Sequence, residues 1–321
     1  MNNVAAIATL FVLFSGCEDE EIAPVIPPAP QASFIYRDLI DWATLSSTST
    51  GEISEYLWQV SDVDHQSLLK SHGNYADLVI PTVATTITVS LTVKNSGGSS
   101  TCTENIDLPE LTFCRKYGLG RNVESERSNN VDYEWYIDQT TTGQYANMNC
   151  GPACATMALK WANKNFNKTT EDARNSLPIL QPTPGWTSGF FTSYLTDNHT
   201  KWDNEYYTEA NQLKNQIDNG NIFALGLNMF YIKYESKSEW RIDRFYVINS
   251  TFKHFIIVKG YKIVDSILWF EVYDPWSVGW INMDDGSLKG RDRYYRSEDI
   301  IESAYDIDPF PKMIVIYRTE E

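Results

Sequence analysis

The sequence has few histidines and few basic residues. Only four of its 321 residues are histidine, and the formal net charge is -16 because 42 acidic residues outnumber 26 basic ones. This charge balance argues against a nucleic-acid partner, which would require a basic surface. No set of cysteines and histidines has the spacing of a zinc site, and Gly118-Leu119-Gly120 is too short for a phosphate-binding loop. We therefore expect no metal and no cofactor.

One of the five cysteines, Cys150, stands at the predicted start of a helix. The stretch from Pro152 to Ala162 contains no helix breaker after its proline, which is tolerated in a first turn. A helix N-terminus lowers the pKa of a thiol, and the thiolate is the nucleophilic form. Four residues follow Cys150 at helical spacing and predict a core-facing side: Cys154, Met157, Ala158 and Trp161.

A thiolate mechanism needs a histidine, and the chain after residue 113 contains only His199 and His254. His254 opens a predicted strand, and a second strand over 267–273 ends at Asp274. If these strands pair as a hairpin, Asp274 lies within a few residues of the position opposite His254. An acid bonded to one imidazole nitrogen fixes the tautomer, so that the other nitrogen can take the thiol proton. His199 is predicted to be a polar loop residue.

The glutamine Gln144 stands six positions before Cys150. Its amide N–H and the backbone N–H of Cys150 are predicted to form the two-donor oxyanion hole that acyl transfer requires. Singly, each candidate has a simpler structural explanation: Cys150 as a small core residue, His254 as a buried strand residue and Asp274 as a turn residue before proline. All four in this order indicate a thiol protease.

Four segments resemble one family of peptidases. They are the Asn-Cys-Gly-Pro-Ala block, the preceding glutamine, the strand His-Phe-Ile-Ile-Val-Lys-Gly-Tyr and the Tyr-Asp-Pro that follows. They are similar to the bacteriocin-processing (double-glycine-type) peptidases and their larger peptidase-like relatives, over residues 131 to about 318. The resemblance implies an α+β papain-like cysteine peptidase fold over 131–321. It also implies Cys150 as nucleophile, His254 as general base and acid, Asp274 as its partner and Gln144 in the oxyanion hole. The best-known members are fused to a transporter that this sequence lacks, so cleavage after a Gly-Gly leader is not carried over.

The N-terminal region is predicted to anchor the protein to a membrane. The apolar run Val4–Phe14 is too short to span a bilayer but suits a signal peptide. The segment over 1–17 resembles a bacterial lipoprotein signal, in which Cys17 becomes lipidated. The acidic run over 18–21 resembles the export tag of surface lipoproteins, or it is a solvated spacer. The four prolines up to Pro30 predict a stiff tether over 18–30. We therefore expect a cell-envelope protein, on the periplasmic or the extracellular side.

Residues 31–110 predict an all-β immunoglobulin-like sandwich. Residues 87–94 alternate strictly between apolar and polar, and a turn follows at 95–98. The region resembles a PKD-type domain with Trp58 in its core, although the usual Trp-Asp-Phe-Gly-Asp-Gly motif is replaced. Its role is open between a spacer and a contact for carbohydrate or protein.

Residues 111–130 are predicted to link the two domains. Cys102 and Cys114 lie at this junction, and an oxidising compartment would allow them to form a disulfide; two free thiols are the alternative.

Three functions fit these features. The first is a membrane-anchored cysteine peptidase acting on a peptide or protein. The second uses the same site as an amidase or transferase on cell-wall or isopeptide bonds. The third is a surface binding protein without turnover, against which the intact set of Gln144, Cys150, His254 and Asp274 argues. The sequence does not predict the oligomeric state.

Overall fold

The structure is a computed structural model that describes residues 25–176 and 185–318. It contains an all-β immunoglobulin-like sandwich followed by an α+β domain, which is the predicted fold class. The predicted signal, Cys17 and the acidic run lie outside the described residues. Within the described ranges, no helix is long and apolar enough to cross a bilayer.

The sandwich consists of two antiparallel sheets with strand orders β1-β2-β5-β4 and β3-β6-β7. Its strands are β1 (Phe34–Asp38), β2 (Trp42–Ser47), β3 (Glu55–Val60), β4 (Leu69–Ser71), β5 (Tyr75–Val79), β6 (Thr85–Asn95) and β7 (Gly98–Leu108). The predicted alternation in β6 is confirmed, because its inward side chains are at most 1% exposed: Ile87, Val89, Leu91 and Val93. Period-two burial of this kind fixes which face of a strand meets the opposite sheet.

Trp58 is the predicted core tryptophan, and the structure buries it. It packs edge-on against Phe34 with ring centroids 5.2 Å apart, and its Nε1 donates to the carbonyl of Gly73 at 2.9 Å. The end of the predicted tether lies against this domain, because Asn95 donates to the carbonyl of Pro28 at 2.8 Å. A side chain at Gly97 would collide with the Pro27 carbonyl, so the β6–β7 turn needs glycine for this close approach.

The α+β domain has one large antiparallel sheet with helices on both faces. Its strand order is β13-β12-β11-β10-β14-β9, and β8 pairs with β11. The helices are α1 (Phe113–Lys116), α2 (Cys150–Ala162), α3 (Thr170–Asn175), α4 (Ser188–Asp197), α5 (Ala210–Asp218) and α6 (Ser297–Ile307). The strands are β8 (Val123–Ser128), β9 (Trp202–Tyr206), β10 (Ile222–Asn228), β11 (Lys253–Val264), β12 (Ile267–Tyr273), β13 (Arg293–Arg296) and β14 (Lys312–Ile316).

The two faces of this sheet carry separate apolar cores. On one face, Ala224 and Ile257 pack against α2 and α4. On the other, Leu225 and Ile256 lie in the core that includes residues of α5 and α6. Strands buried on both faces read as continuous apolar runs, as β10 and the first half of β11 do. Helix α2 is buried over nearly its whole circumference, beyond the predicted face, because α3 and α4 cover its other sides.

The predicted hairpin joins β11 and β12. Asp265 and Ser266 form its two-residue turn with φ angles of 48° and 65°, which is the conformation that suits a tight hairpin. In the resulting register Ile257 lies opposite Tyr273. The start of β11 and the end of β12 are thereby adjacent, which brings His254 and Asp274 together.

A long connection over residues 229–252 joins β10 to β11 and touches the sandwich. Lys237 and Trp240 in this connection both bind the Asp41 carboxylate, which lies in the β1–β2 turn. Beside them, Asp38 accepts hydrogen bonds from Arg115 at 3.0 and 3.1 Å and from Arg121 at 3.0 Å. Burial alone would raise the pKa of Asp38, but these two guanidinium groups lower it. The region predicted as a linker is therefore a structured joint.

Candidate active site

Cys150 is the first residue of α2, where the helix meets the start of β11. A side chain at Gly151 would collide with Trp186, so the glycine allows this ring to pack on the first turn of the helix. Burial raises the pKa of the Cys150 thiol, but the interaction with His254 and the backbone N–H groups of Phe255 and Gly151 outweigh it. The net pKa is below the ordinary value, which favours the thiolate.

The imidazole of His254 is 2% exposed and lies between a thiol and a carboxylate. Its Nε2 is 2.8 Å from Oδ1 of Asp274, and its ring stacks on Phe252 with centroids 5.3 Å apart. This hydrogen bond places the proton on Nε2 and leaves Nδ1 for Cys150. Burial lowers the pKa of His254, but the Asp274 charge and the Cys150 interaction outweigh it and raise the net value. The raised pKa of His254 and the lowered pKa of Cys150 together favour a thiolate–imidazolium pair at neutral pH.

Asp274 is fully buried and accepts four hydrogen bonds at its carboxylate. Oδ1 binds His254 and, at 2.9 Å, the backbone N–H of Trp276. Oδ2 accepts from the hydroxyls of Tyr246 at 3.0 Å and Tyr295 at 2.6 Å. Burial raises the pKa of Asp274, but the charge and hydrogen bond of His254, with the Tyr295 and Trp276 donors, lower the net value. The lowered pKa keeps the carboxylate ionised, although no lysine or arginine of the described residues donates to it.

The glutamine in the cleft is Gln139, not the predicted Gln144. Gln144 is exposed and does not line the cleft, whereas Gln139 is 1% exposed and lies in the same cleft as Cys150. The Gln139 Nε2 donates one hydrogen to the carbonyl of Ala146 at 2.9 Å, which leaves its second N–H free to bind an oxyanion. The loop between Gln139 and Cys150 contains two short 3-10 turns. The residue six positions before Cys150 therefore lies on the exposed side of this loop.

A buried arginine holds the loop that precedes Cys150. Arg174 of α3 donates to the side-chain oxygen of Asn149 at 2.8 Å and to the carbonyl of Met148 at 2.7 Å. Asn149 in turn donates to the Thr142 hydroxyl at 2.9 Å, and that hydroxyl bonds the Gln139 carbonyl. Within the described ranges, Arg174 forms no ion pair with a carboxylate. Burial lowers the pKa of its guanidinium, and the negative charge of Cys150 partly opposes that shift.

These residues open on a cleft of about 610 Å³. Most of its wall is apolar, as expected for a pocket that takes up side chains of a bound chain. The described lining residues are Gln139, Asn147, Met148, Cys150, Gly185, Trp186, Thr187, Ser188, Gly226, Leu227, Phe252, Lys253, His254, Phe255 and Ile307.

The remaining sequence candidates lie away from the cleft or are inert. His199 is exposed after α4, as predicted. Cys154 is buried, its Sγ donates to the Phe255 carbonyl at 3.3 Å, and burial raises its pKa well above the ordinary value. Cys102 and Cys114 are free thiols, so the disulfide considered above is absent. The reason is that Cys102 packs at the sandwich core, while Cys114 lies in a separate small core with Val264 and Trp269.

Comparison with known proteins identifies the family. A model described as "Peptidase_C39 like family" matches residues 131–299, which are 169 of the 321 residues. The chain belongs to the peptidase C39-like family. A C39-like peptidase from Bacillus anthracis is 12% identical, with 62% of this chain and 100% of that one covered and a TM-score of 0.39. No curated protein matches the chain.

Two solved PKD domains are also similar to part of this C39-like family member. The PKD1 domain of the Vibrio cholerae metalloprotease PrtV is 24% identical, covers 25% of this chain and 98% of its own, and has a TM-score of 0.21. The PKD1 domain of Vibrio anguillarum Epp is 22% identical, with 26% and 98% covered and a TM-score of 0.22.

The contrast between the two cysteines of α2 generates a prediction. We expect iodoacetamide at neutral pH to label Cys150 well before Cys154, because the pKa of Cys150 is lowered and that of Cys154 is raised. Mass spectrometry of tryptic peptides over time measures both rates in one sample. In His254→Ala, labelling of Cys150 should slow by about tenfold or more, since the imidazolium that lowers the thiol pKa is gone. Equal, slow labelling of both thiols would contradict the assignment of Cys150.

Proposed function

We propose that this protein is an exported, membrane-anchored cysteine peptidase that hydrolyses peptide bonds through a thioester acyl-enzyme. One observation carries this proposal: His254 is hydrogen-bonded to Asp274, interacts with Cys150 and lines the same largely apolar cleft as that thiol. A buried carboxylate, an imidazole with a fixed tautomer and a thiol of lowered pKa are the groups that nucleophilic acyl transfer requires.

The proposed reaction has two halves. The Cys150 thiolate attacks the scissile carbonyl carbon, and the resulting oxyanion is bound by the backbone N–H of Cys150 and the free N–H of Gln139. The imidazolium of His254 then protonates the leaving amine, the C–N bond breaks, and a thioester remains. In the second half His254 takes a proton from water, hydroxide attacks the thioester, and the thiolate leaves as the acid product forms. Asp274 holds the imidazole orientation throughout and stabilises its positive form.

Turnover of peptides tests the function directly. We expect the full chain to cleave members of a random peptide library, and we expect Cys150→Ala and His254→Ala to have no measurable activity. The two losses should not add, because nucleophile and base act as one unit. Mass spectrometry of the cleaved ends gives both rate and site preference. A folded wild-type protein that alkylates at Cys150 but cleaves no peptide would favour the amidase or transferase alternative.

The two glutamines provide a matched pair of variants for the oxyanion hole. We expect Gln139→Ala to lower kcat on the order of 10²-fold, the effect of one missing oxyanion donor. We expect Gln144→Ala to leave kcat unchanged, because this side chain is exposed outside the cleft. The measurement is kcat and KM on one peptide from the library, after circular dichroism shows both variants folded. Loss of kcat in Gln144→Ala with normal kcat in Gln139→Ala would restore the sequence-based assignment.

The proposed location rests on the sequence of the first thirty residues. A lipidated Cys17, followed by the acidic and proline-rich tether, would hold the enzyme at a membrane of the cell envelope, where it would meet a peptide or protein substrate. We expect the mature protein to begin at Cys17 and to partition into detergent, and Cys17→Ser to remain unprocessed. N-terminal mass spectrometry of the membrane fraction measures this, and a mature chain that retains Met1 would exclude the anchor.

A further inference from the structure

The two oxygens of the Asp274 carboxylate have different partners. Oδ1 accepts from His254, whereas Oδ2 accepts, among the described residues, from two tyrosine hydroxyls, Tyr246 at 3.0 Å and Tyr295 at 2.6 Å. These tyrosines come from distant parts of the chain, the connection over 229–252 and strand β13. A hydroxyl on each side of Oδ2 fixes the carboxylate plane, so Oδ1 remains directed at the imidazole.

Both hydroxyls are committed to this carboxylate. Tyr246 is 5% exposed and Tyr295 is 0% exposed, and neither hydroxyl has another hydrogen-bond partner in the described part of the chain. Burial, together with the Asp274 charge, raises the pKa of both tyrosines well above the ordinary value. Both hydroxyls therefore remain protonated donors at neutral pH.

Other ionisable groups near Asp274 do not replace these donors. Tyr136 bonds the backbone carbonyl of Asp274, not its carboxylate. Cys154 is a buried neutral thiol that donates to Phe255. Arg293 is a buried fixed charge, and its guanidinium donates to backbone carbonyls at Asp243, Ile242 and Lys289. In the part of the chain that the structure describes, the two tyrosines alone donate to Oδ2.

We infer that Tyr246 and Tyr295 are positioning residues of the proposed peptidase, which keep Asp274 ionised and its Oδ1 directed at His254. The inference rests on the proposed function, since it assigns these residues to the same site. A buried carboxylate that loses a donor binds a proton more readily. Once Asp274 is protonated, the imidazolium loses its counter-charge and the thiolate of Cys150 loses its partner. The two hydroxyls thus determine the lowest pH at which Cys150 is still a thiolate.

The test follows alkylation of Cys150 as a function of pH in the full chain. The rate at which its sulfur displaces iodide from iodoacetamide is measured by peptide mass spectrometry from pH 3 to pH 10. At the acidic end of this profile the rate falls with pH, and we call this part the acid limb. In Tyr246→Phe and in Tyr295→Phe we expect the acid limb to move to higher pH by about one unit, because one hydrogen bond to a charged group is worth about one to two pK units. At a fixed pH on that limb, this is about a tenfold slower reaction.

The matched control is Tyr273→Phe. Tyr273 precedes Asp274 on β12, is 0% exposed, and its hydroxyl has no hydrogen-bond partner within the described residues. The substitution removes the same atom from the residue next to Asp274 without removing a donor to its carboxylate, so the acid limb should not move. Thermal unfolding of each variant shows that it is folded over the pH range used.

A second comparison keeps the inference testable if one variant is unstable. In an Asp274→Asn background residue 274 has no carboxylate to titrate, so adding Tyr246→Phe should shift the acid limb no further. The inference is overturned if the folded single tyrosine variants keep the wild-type limb, or if they shift it equally with and without Asp274. The readout needs no peptide substrate. A reactive Cys150 without peptide cleavage would therefore defeat the proposed function and leave this inference standing.

Discussion

The buried negative charge of Asp274 constrains more of this structure than any other group. An unpaired ion in a protein interior is strongly unfavourable, so the fold must supply donors from wherever the chain can provide them. It does so from β11, from the connection over 229–252, from β13 and from the turn after β12. The backbone of Asp274 is held as well, because its N–H donates to the Gly290 carbonyl at 2.8 Å and its carbonyl accepts from Tyr136 at 2.7 Å. A side chain at Gly290 would collide with that carbonyl, so glycine is required there.

The connection that delivers Tyr246 also joins the two domains. Lys237 and Trp240 of this connection bind Asp41 of the sandwich. The ion pairs of Asp38 with Arg115 and Arg121 lie beside them. Arg115 is almost fully buried, and removing the partner of a buried charge costs about 3–5 kcal/mol, far more than a surface ion pair contributes. The sandwich is therefore more than a spacer in structural terms. It packs against the segment that carries one of the two donors to Oδ2.

Local sequence patterns predicted what depends on neighbouring residues. The alternation in β6, the turn at Asp265 and Ser266, and the helix that begins at Cys150 all follow from short-range rules, and they bring His254 and Asp274 together. Gln139 was missed because its position depends on how a loop folds, and a count of residues before Cys150 does not encode two 3-10 turns. The aspartate before it, which caps the first of these turns, was the available signal. Tyr246 and Tyr295 could not be found in this way, since only the tertiary structure brings them to one oxygen.

Charge balance explains why a site this buried can hold a thiolate. Cys150 and Asp274 as anions and His254 as a cation leave a net negative charge in a region of low dielectric, which would oppose ionisation of the thiol. Arg174 supplies a positive charge that interacts with Cys150, and its guanidinium is bound to Met148 and Asn149 and to no carboxylate in the described ranges. The formal charges of Arg174, Cys150, His254 and Asp274 then sum to zero. The same guanidinium holds the loop between Gln139 and Cys150, so a single buried cation would serve both the charge of the proposed nucleophile and the geometry of the proposed oxyanion donors.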